Sequence, residues 1–246
     1  VGTIPADHRF GADASGCLYE VIFDFSGGIS HRIFSRAEAF KNIYGQEVVK
    51  YTPADCSVTG PCLNNISDIK DTDGNYKLKG RVYHFTGNLN IYDNVDPFEL
   101  KNGSGNDSGA GLIVVDKDLY VNQDITYEAS APAKLKNLAS VGWLVGQNVT
   151  VADYVTNISG AFLVTGKANS SGGIDNGVFS SGATSVASLT IQGALVARQF
   201  KFERTYRGNN EPAEKIVADG RILLNTPPGF YDVLRTLPTW QFRAPQ

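Results

Sequence analysis

Four short segments repeat one another along the chain: Asn88-Leu89-Asn90-Ile91, Asp118-Leu119-Tyr120-Val121, Asn148-Val149-Thr150-Val151 and Ser188-Leu189-Thr190-Ile191. The first three follow one another at a constant interval, and the fourth comes ten positions late. In each, the second and fourth residues are apolar, which on an extended strand puts both side chains on one face. The register continues outside the motifs. Six residues beyond the leading apolar position stand Val95, Ile125, Val155 and Leu195; six before stand Tyr83, Ile113, Trp143 and Ala183. Four before stand Phe85, Val115 and Val145, with Ser185 breaking the column.

A coil period of roughly 30 residues with apolar columns is what a parallel β-solenoid requires, because each coil buries its interior only by stacking on the next. The expected fold is therefore mainly β: a right-handed parallel β-helix, preceded by a small α/β module. Asn88, Asp118, Asn148 and Ser188 would form a polar column hydrogen-bonded from coil to coil, and Trp143 and Phe162 would fill the interior. The extra ten residues before the fourth copy fall in the Gly- and Ser-rich run 168–184, read as a loop bulging from one corner. The alternative is an antiparallel β-sandwich, which also has many short alternating strands but no reason to keep one register across several columns.

The 246 residues are 42% hydrophobic and 19% charged, within the range of globular proteins. No apolar run is long enough to span a bilayer as a helix. A net charge of −3 argues against nucleic acid, whose phosphates need clustered Lys and Arg. The chain starts at Val1 and contains no Met, which we read as a processed, exported chain.

Residues 1–79 are expected to form a separate small module with a polar linker, and residues 80–246 the solenoid with a capping tail. Two β-rich runs, 18–23 and 29–34, flank the Gly27-Gly28 pair as a hairpin. Ser35 and Glu38 have capping-box spacing, and Ala37, Phe40, Ile43 and Tyr44 recur at helical intervals up to Gly45. A strand over 47–51 completes the unit. This order, with His-Arg-Ile-Phe-Ser and the Phe-x-x-x-Tyr-Gly helix end, resembles a short module repeated in many bacterial cell-surface proteins; the resemblance implies a surface location and no catalytic residue. Cys56 and Cys62 bracket a Gly60-Pro61 turn and are expected to form a disulfide, with two reduced thiols as the alternative and Cys17 left over. Six Asn-x-Ser/Thr sequons, at Asn65, Asn102, Asn106, Asn148, Asn157 and Asn169, matter only on a eukaryotic secretory route. The acidic turn at Asp71 and Asp73 is read as an ordinary turn, because Ile69 stands where a calcium loop needs a carboxylate.

Beyond Leu195 the alternation runs through Ala197, Gln199, Phe200 and Phe202, and 216–224 reads as a further short strand. The stop Thr226-Pro227-Pro228-Gly229 is followed by a short helical segment to Leu234 and a tail suited to covering the last coil. Together with Ala197-Arg198-Gln199-Phe200-Lys201-Phe202-Glu203-Arg204 and Asp219-Gly220-Arg221-Ile222-Leu223-Leu224-Asn225, the solenoid resembles, over roughly residues 80–240, a group of uncharacterised exported bacterial surface proteins with polymer-forming-type β-helices. The resemblance implies a β-helix at the cell surface and nothing about chemistry.

Motifs for chemistry are sparse. His8, His31 and His84 are the histidines, no Gly-x-Ser-x-Gly elbow accompanies them, and Gly103-x-Gly105 and Gly109-x-Gly111 lack a phosphate loop's lysine. Asp116, Asp118, Asp124 and Asp153 near successive strands would suit a polysaccharide lyase or glycoside hydrolase, and Tyr120, Tyr127 and Tyr154 a glycan-stacking strip. As turn and column residues the aspartates have a simpler use. The expected protein is non-enzymatic: a structural subunit or adhesin of an extracellular surface layer or filament, without metal or cofactor. Its partners would be copies of itself or other surface proteins, docked through Leu237, Trp240 and Phe242, with glycan binding or cleavage as the alternative.

Overall fold

A computed structural model describes residues 48–51, 63–94, 97–166, 177–205 and 212–230. They form a mainly β structure of fifteen strands: β1 (Val48–Tyr51), β2 (Leu63–Asn65), β3 (Val82–Phe85), β4 (Asn88–Ile91), β5 (Phe98–Leu100), β6 (Ala110–Val115), β7 (Leu119–Val121), β8 (Ile125–Tyr127), β9 (Ser140–Val145), β10 (Val149–Val151), β11 (Asn157–Val164), β12 (Val178–Ser180), β13 (Leu189–Ala197), β14 (Gln199–Lys201) and β15 (Glu214–Val217). One helical turn, α1 (Arg221–Leu224), follows them.

Every strand pairing among the described residues is parallel, as the repeat requires and the antiparallel alternative does not. A seven-stranded sheet runs β1-β3-β6-β9-β11-β13-β15, a six-stranded sheet β14-β12-β10-β7-β4-β2, and a two-stranded sheet holds β5 and β8. The chain visits these sheets in turn, so each strand pairs with the one a coil later. The repeat of the sequence is visible residue by residue: Tyr83 pairs with Ile113 and Ile113 with Trp143, while Leu89, Leu119 and Val149 pair in the second sheet.

The two large sheets bury different amounts of their surface, and their sequences differ accordingly. Strands β6 and β9 are buried at every position, which explains their unbroken apolar runs. Their inner face joins one core cluster with Leu89, Phe98, Ile125 and Phe179 from the other two sheets. Their outer face, with Leu112, Val114 and Leu144, is covered by Ile222 and Phe230. Strand β7 instead alternates, with Leu119 and Val121 inside and Tyr120 outside. Trp143 is fully buried, stacks on Phe162 at 5.8 Å and donates its indole N–H to the Ser159 carbonyl at 3.1 Å.

Several expectations change here. The fourth motif does not follow the first three: Phe179 pairs with Val149, so the constant step continues into β12. The segment Ser188-Leu189-Thr190-Ile191 enters the seven-stranded sheet instead, where Ile191 pairs with Ile158. The reason lies in β11. Only its second half, Ala161 to Val164, pairs with β9, while the strand as a whole pairs with β13 and lies beside β8, so Phe162 reaches its partner Trp143 after a shortened repeat. Gly160 lies between those halves with φ +130 and pairs with Gly193 at φ +143, backbone that favours glycine. The expected strand over 216–224 is split into β15 and α1. The described part of the C-terminal segment lies on the outer flank of the seven-stranded sheet rather than over the last coil: Phe230 packs on Gly142, and Asn225 Nδ2 donates to the Lys136 and Leu138 carbonyls. Parallel pairing also begins before residue 80, since β1 pairs with β3 and β2 with β4. The expected hairpin and helix between residues 18 and 45 lie outside the described residues.

A Cβ at position 193 would stand 2.0 Å from the Gly160 carbonyl oxygen, whereas one at Gly220 meets nothing within 4 Å. Gly193→Ala should therefore destabilise by about 2–4 kcal/mol and Gly220→Ala by less than about 0.5 kcal/mol. Urea unfolding of the two variants checks this; equal midpoints would sink the account of the β11–β13 corner.

Candidate functional site

Two surfaces carry side chains in arrangements that packing alone does not require. The first is the C-terminal end of the stack, where β14 and β15 are the edge strands among the described residues. Strand β14 is exposed at all three positions. Phe200 pairs with Phe179 in an inward column, yet it is 44% exposed because no further strand covers it in the described residues. Phe202 stacks on it at 5.6 Å and meets Phe179 edge-on at 6.4 Å. In the neighbouring sheet Ile216 pairs with the buried Ile191 and is 52% exposed.

Just beneath this end, Arg204 is buried and spans the turns. Its Nε donates to the Ser181 carbonyl at 2.8 Å and its Nη2 to the Ala152 carbonyl at 2.9 Å, while Glu214 accepts its backbone N–H and the Ser181 hydroxyl. Burial lowers the guanidinium's proton affinity, and Glu214 opposes that. The end of the stack is thus held on a rigid polar clamp that sequence reading did not single out.

The second surface is a depression of about 400 Å³ at the corner after β4, β7 and β10, lined by Tyr92, Asp93, Asn94, Asn122, Gln123, Asp124, Tyr154, Val155 and Thr156. Each coil contributes one layer, and hydrogen bonds fix the layers to one another. Asn122 Nδ2 donates to Asn90 Oδ1 at 2.6 Å, and Gln123 accepts the Asp93 N–H. Asp124 accepts from the Thr156 N–H at 2.7 Å and hydroxyl at 2.8 Å, and from the Asn157 N–H at 3.1 Å and carboxamide at 3.2 Å. Asp93 accepts from Lys70 and from the Tyr76 hydroxyl, each at 2.6 Å. Burial alone would raise the Asp93 carboxyl, but these two donors outweigh it and hold it below the usual aspartate value. Burial, then the Asp93 carboxylate, pushes the Tyr76 hydroxyl far up.

The three tyrosines expected to form one strip do not meet. Tyr154 lies on the corner depression, 62% exposed, and donates its hydroxyl to the Asn122 carbonyl at 3.1 Å. Tyr120 stands between Asn90 and Thr150 on the outer face of the six-stranded sheet. Burial and then the Asp118 carboxylate raise its hydroxyl. Tyr127 is turned inward: its hydroxyl accepts the Val141 N–H at 3.2 Å, the Arg221 guanidinium lies 5.0 Å from its ring centre, and burial raises its hydroxyl. The tyrosine that lines the same depression as Tyr154 is instead Tyr92, 47% exposed. Tyr92 and Asn122 sit at equivalent positions after their strands, one repeat apart, so carrying the repeat into its polar positions would have found both.

The aspartates serve separate structural uses. Asp118 Oδ1 accepts from the Asn148 N–H and carboxamide, each at 3.0 Å, while Asn88 Oδ1 accepts the Asp118 N–H at 3.1 Å and Asn148 Oδ1 the Val178 N–H at 3.2 Å. Val178, not Ser188, therefore ends the polar column. Asp116 is exposed and bonds His84 Nε2 at 2.8 Å, with His84 itself buried on the outer face of the seven-stranded sheet. Asp153 is exposed. In the acidic turn, Lys79 neutralises Asp71 at 2.6 Å and Lys77 pairs with Asp73, whose carboxyl that contact lowers to about 2. A Cβ at Gly109 would stand 2.1 Å from the Asn137 oxygen, so that glycine serves a close backbone approach. Cys17, Cys56, Cys62, His8, His31, Leu237, Trp240 and Phe242 lie outside the described residues. Among the described residues, no group of three or more His, Cys, Asp or Glu is placed to hold a metal ion, and no helix is long and apolar enough to cross a membrane.

Compared with known proteins, the chain matches no family model, no curated protein and no solved structure.

Asp93 titrates below its unfolded value of about 3.9, so its pairing stabilises the fold above about pH 4 and is lost as pH falls through the folded value. Asp93→Asn should lower stability at neutral pH and shrink the loss between about pH 5 and pH 2. Urea midpoints measured across that range test this; a loss equal to wild type would show that Asp93 contributes nothing to acid sensitivity.

Proposed function

We propose that the chain is a non-enzymatic structural or adhesive subunit of an extracellular surface layer or filament, built as a right-handed parallel β-solenoid that associates through its coil ends. The observation that carries this reading is the C-terminal end. Among the described residues, two strands there are paired on one side only, where Phe200 and Ile216 continue the columns of Phe179 and Ile191 and Phe202 stacks on Phe200. Such an end is a template for one more coil, and natural proteins blunt edges they do not use. Among the described residues the opposite edges of the two large sheets are β1 and β2, so a second copy arriving head to tail would extend both sheets without changing their pairing.

The closed solenoid is the simplest wall arrangement for three parallel sheets whose inward side chains share one core. Export and a surface location rest on the resemblance to exported bacterial surface proteins. In this reading Leu237, Trp240 and Phe242 belong to the docking element, and the partners are copies of the chain or other surface proteins.

Light scattering over a dilution series, with electron microscopy of the same samples, tests the proposal. Filaments or sheets are expected for the full chain, abolished by the double substitution Phe200→Glu and Ile216→Glu and by deletion of residues 237–246. A monomer at every concentration would overturn it.

A further inference from the structure

We infer that the corner depression between Tyr92 and Tyr154 binds a neutral glycan, with pyranose rings lying against the two tyrosines. The site is separate from the coil ends, because β4, β7 and β10 lie inside the six-stranded sheet. The inference therefore stands or falls independently of self-assembly.

The first argument is exposure. Tyr92 and Tyr154 are 47% and 62% exposed away from the C-terminal end, where Phe200 and Phe202 are open, whereas Phe85, Phe98, Trp143, Phe162 and Phe179 are buried. Two open aromatic faces flanking one depression are suited to a ligand with an apolar face and a polar rim. A pyranose ring has that form: its C–H groups pack on an aromatic face while its hydroxyls seek hydrogen bonds at the edge.

The second argument is the chemistry between the rings. Asn94 and Asn122 bring carboxamides, which donate and accept and so match hydroxyl groups of either sense. Among the described residues the lining holds no Lys, Arg or His, and its charged members are the carboxylates of Asp93 and Asp124. Lys70 is paired with Asp93 at 2.6 Å, and the buried Arg204, bonded to the Ala152 carbonyl at 2.9 Å, acts electrostatically on Asp124 from behind. Both cations are committed to these carboxylates and to backbone carbonyls, so among the described residues none is left over to pair with a phosphorylated, sulfated or uronic glycan.

The third argument is preorganisation. The Tyr154 hydroxyl is tied to the Asn122 carbonyl at 3.1 Å, which holds its ring across the neighbouring coil. Asp124 accepts four hydrogen bonds from Thr156 and Asn157 and locks the corner beneath. Tyr154 and Asn122 therefore have little side-chain freedom left to lose on binding.

Saturation-transfer difference NMR of the full chain with cellohexaose, laminarihexaose and mannohexaose as neutral probes, and trigalacturonate as the anionic comparison, tests the inference. Saturation should reach the ring C–H protons of at least one neutral probe. Tyr92→Ala and Tyr154→Ala should each weaken that probe's binding about tenfold, while Tyr120→Ala leaves it unchanged. Tyr154→Phe keeps the ring and should retain most of the binding, which separates a lost stacking face from a disturbed fold. The inference is overturned by no transfer to any neutral probe, by transfer that survives Tyr92→Ala and Tyr154→Ala, or by equal binding of trigalacturonate. The readout follows the ligand, so it holds whether the chain is monomeric or assembled.

Discussion

Parallel pairing between one coil and the next is the constraint on which everything else in this structure depends. A parallel ladder supplies backbone partners only if each strand finds an equivalent strand one coil later at the same height. That condition stacks like positions on like positions, so every choice of side chain is made in columns. Leu89, Leu119, Val149 and Phe179 are one such column, fully buried throughout. Burying each such side chain contributes roughly 1.5–3 kcal/mol, against a conformational cost of similar order for the residues it orders. No coil can do this alone.

Polar residues obey the same rule through a different kind of bond. At the corner before the six-stranded sheet, Asn88, Asp118 and Asn148 each accept a backbone N–H from the coil above, which satisfies a donor that the turn would otherwise leave unpaired. At the corner after it, Asn90 with Asn122 and Asp124 with Thr156 join the coils in the same way. The carboxylates that look like candidate acids and bases along the strands are thus largely occupied in joining coils. What remains available is the outermost layer of the second corner, and there the two exposed tyrosines stand.

The stack also shows how a repeat can change step without losing its core. The interval from Trp143 to Phe162 is a shortened repeat, and the interval from Ile158 to Ile191 is longer again. The bend falls at Gly160 and Gly193: a Cβ on Gly193 would strike the Gly160 carbonyl, and one on Gly160 the Trp143 indole. Beyond it, among the described residues, β14 and β15 are the last strands of their sheets, and Phe200, Phe202 and Ile216 remain partly uncovered.

The sequence by itself determined the parallel fold of the first three coils, because there the columns repeat at a constant interval and alternation assigns each side chain to a face. It also identified the joining role of Asn88, Asp118 and Asn148, since small polar residues at one turn position have few other uses. Tertiary structure decided which strand follows Val149. Both Phe179 and Leu189 head suitable alternating runs, and only the bend at Gly160 selects between them. It likewise placed Tyr127 inside and set Tyr92 and Tyr154 on one depression, because a corner side chain's direction depends on the loop's path and on bonds to neighbouring coils, and neither has a period that a linear sequence can display.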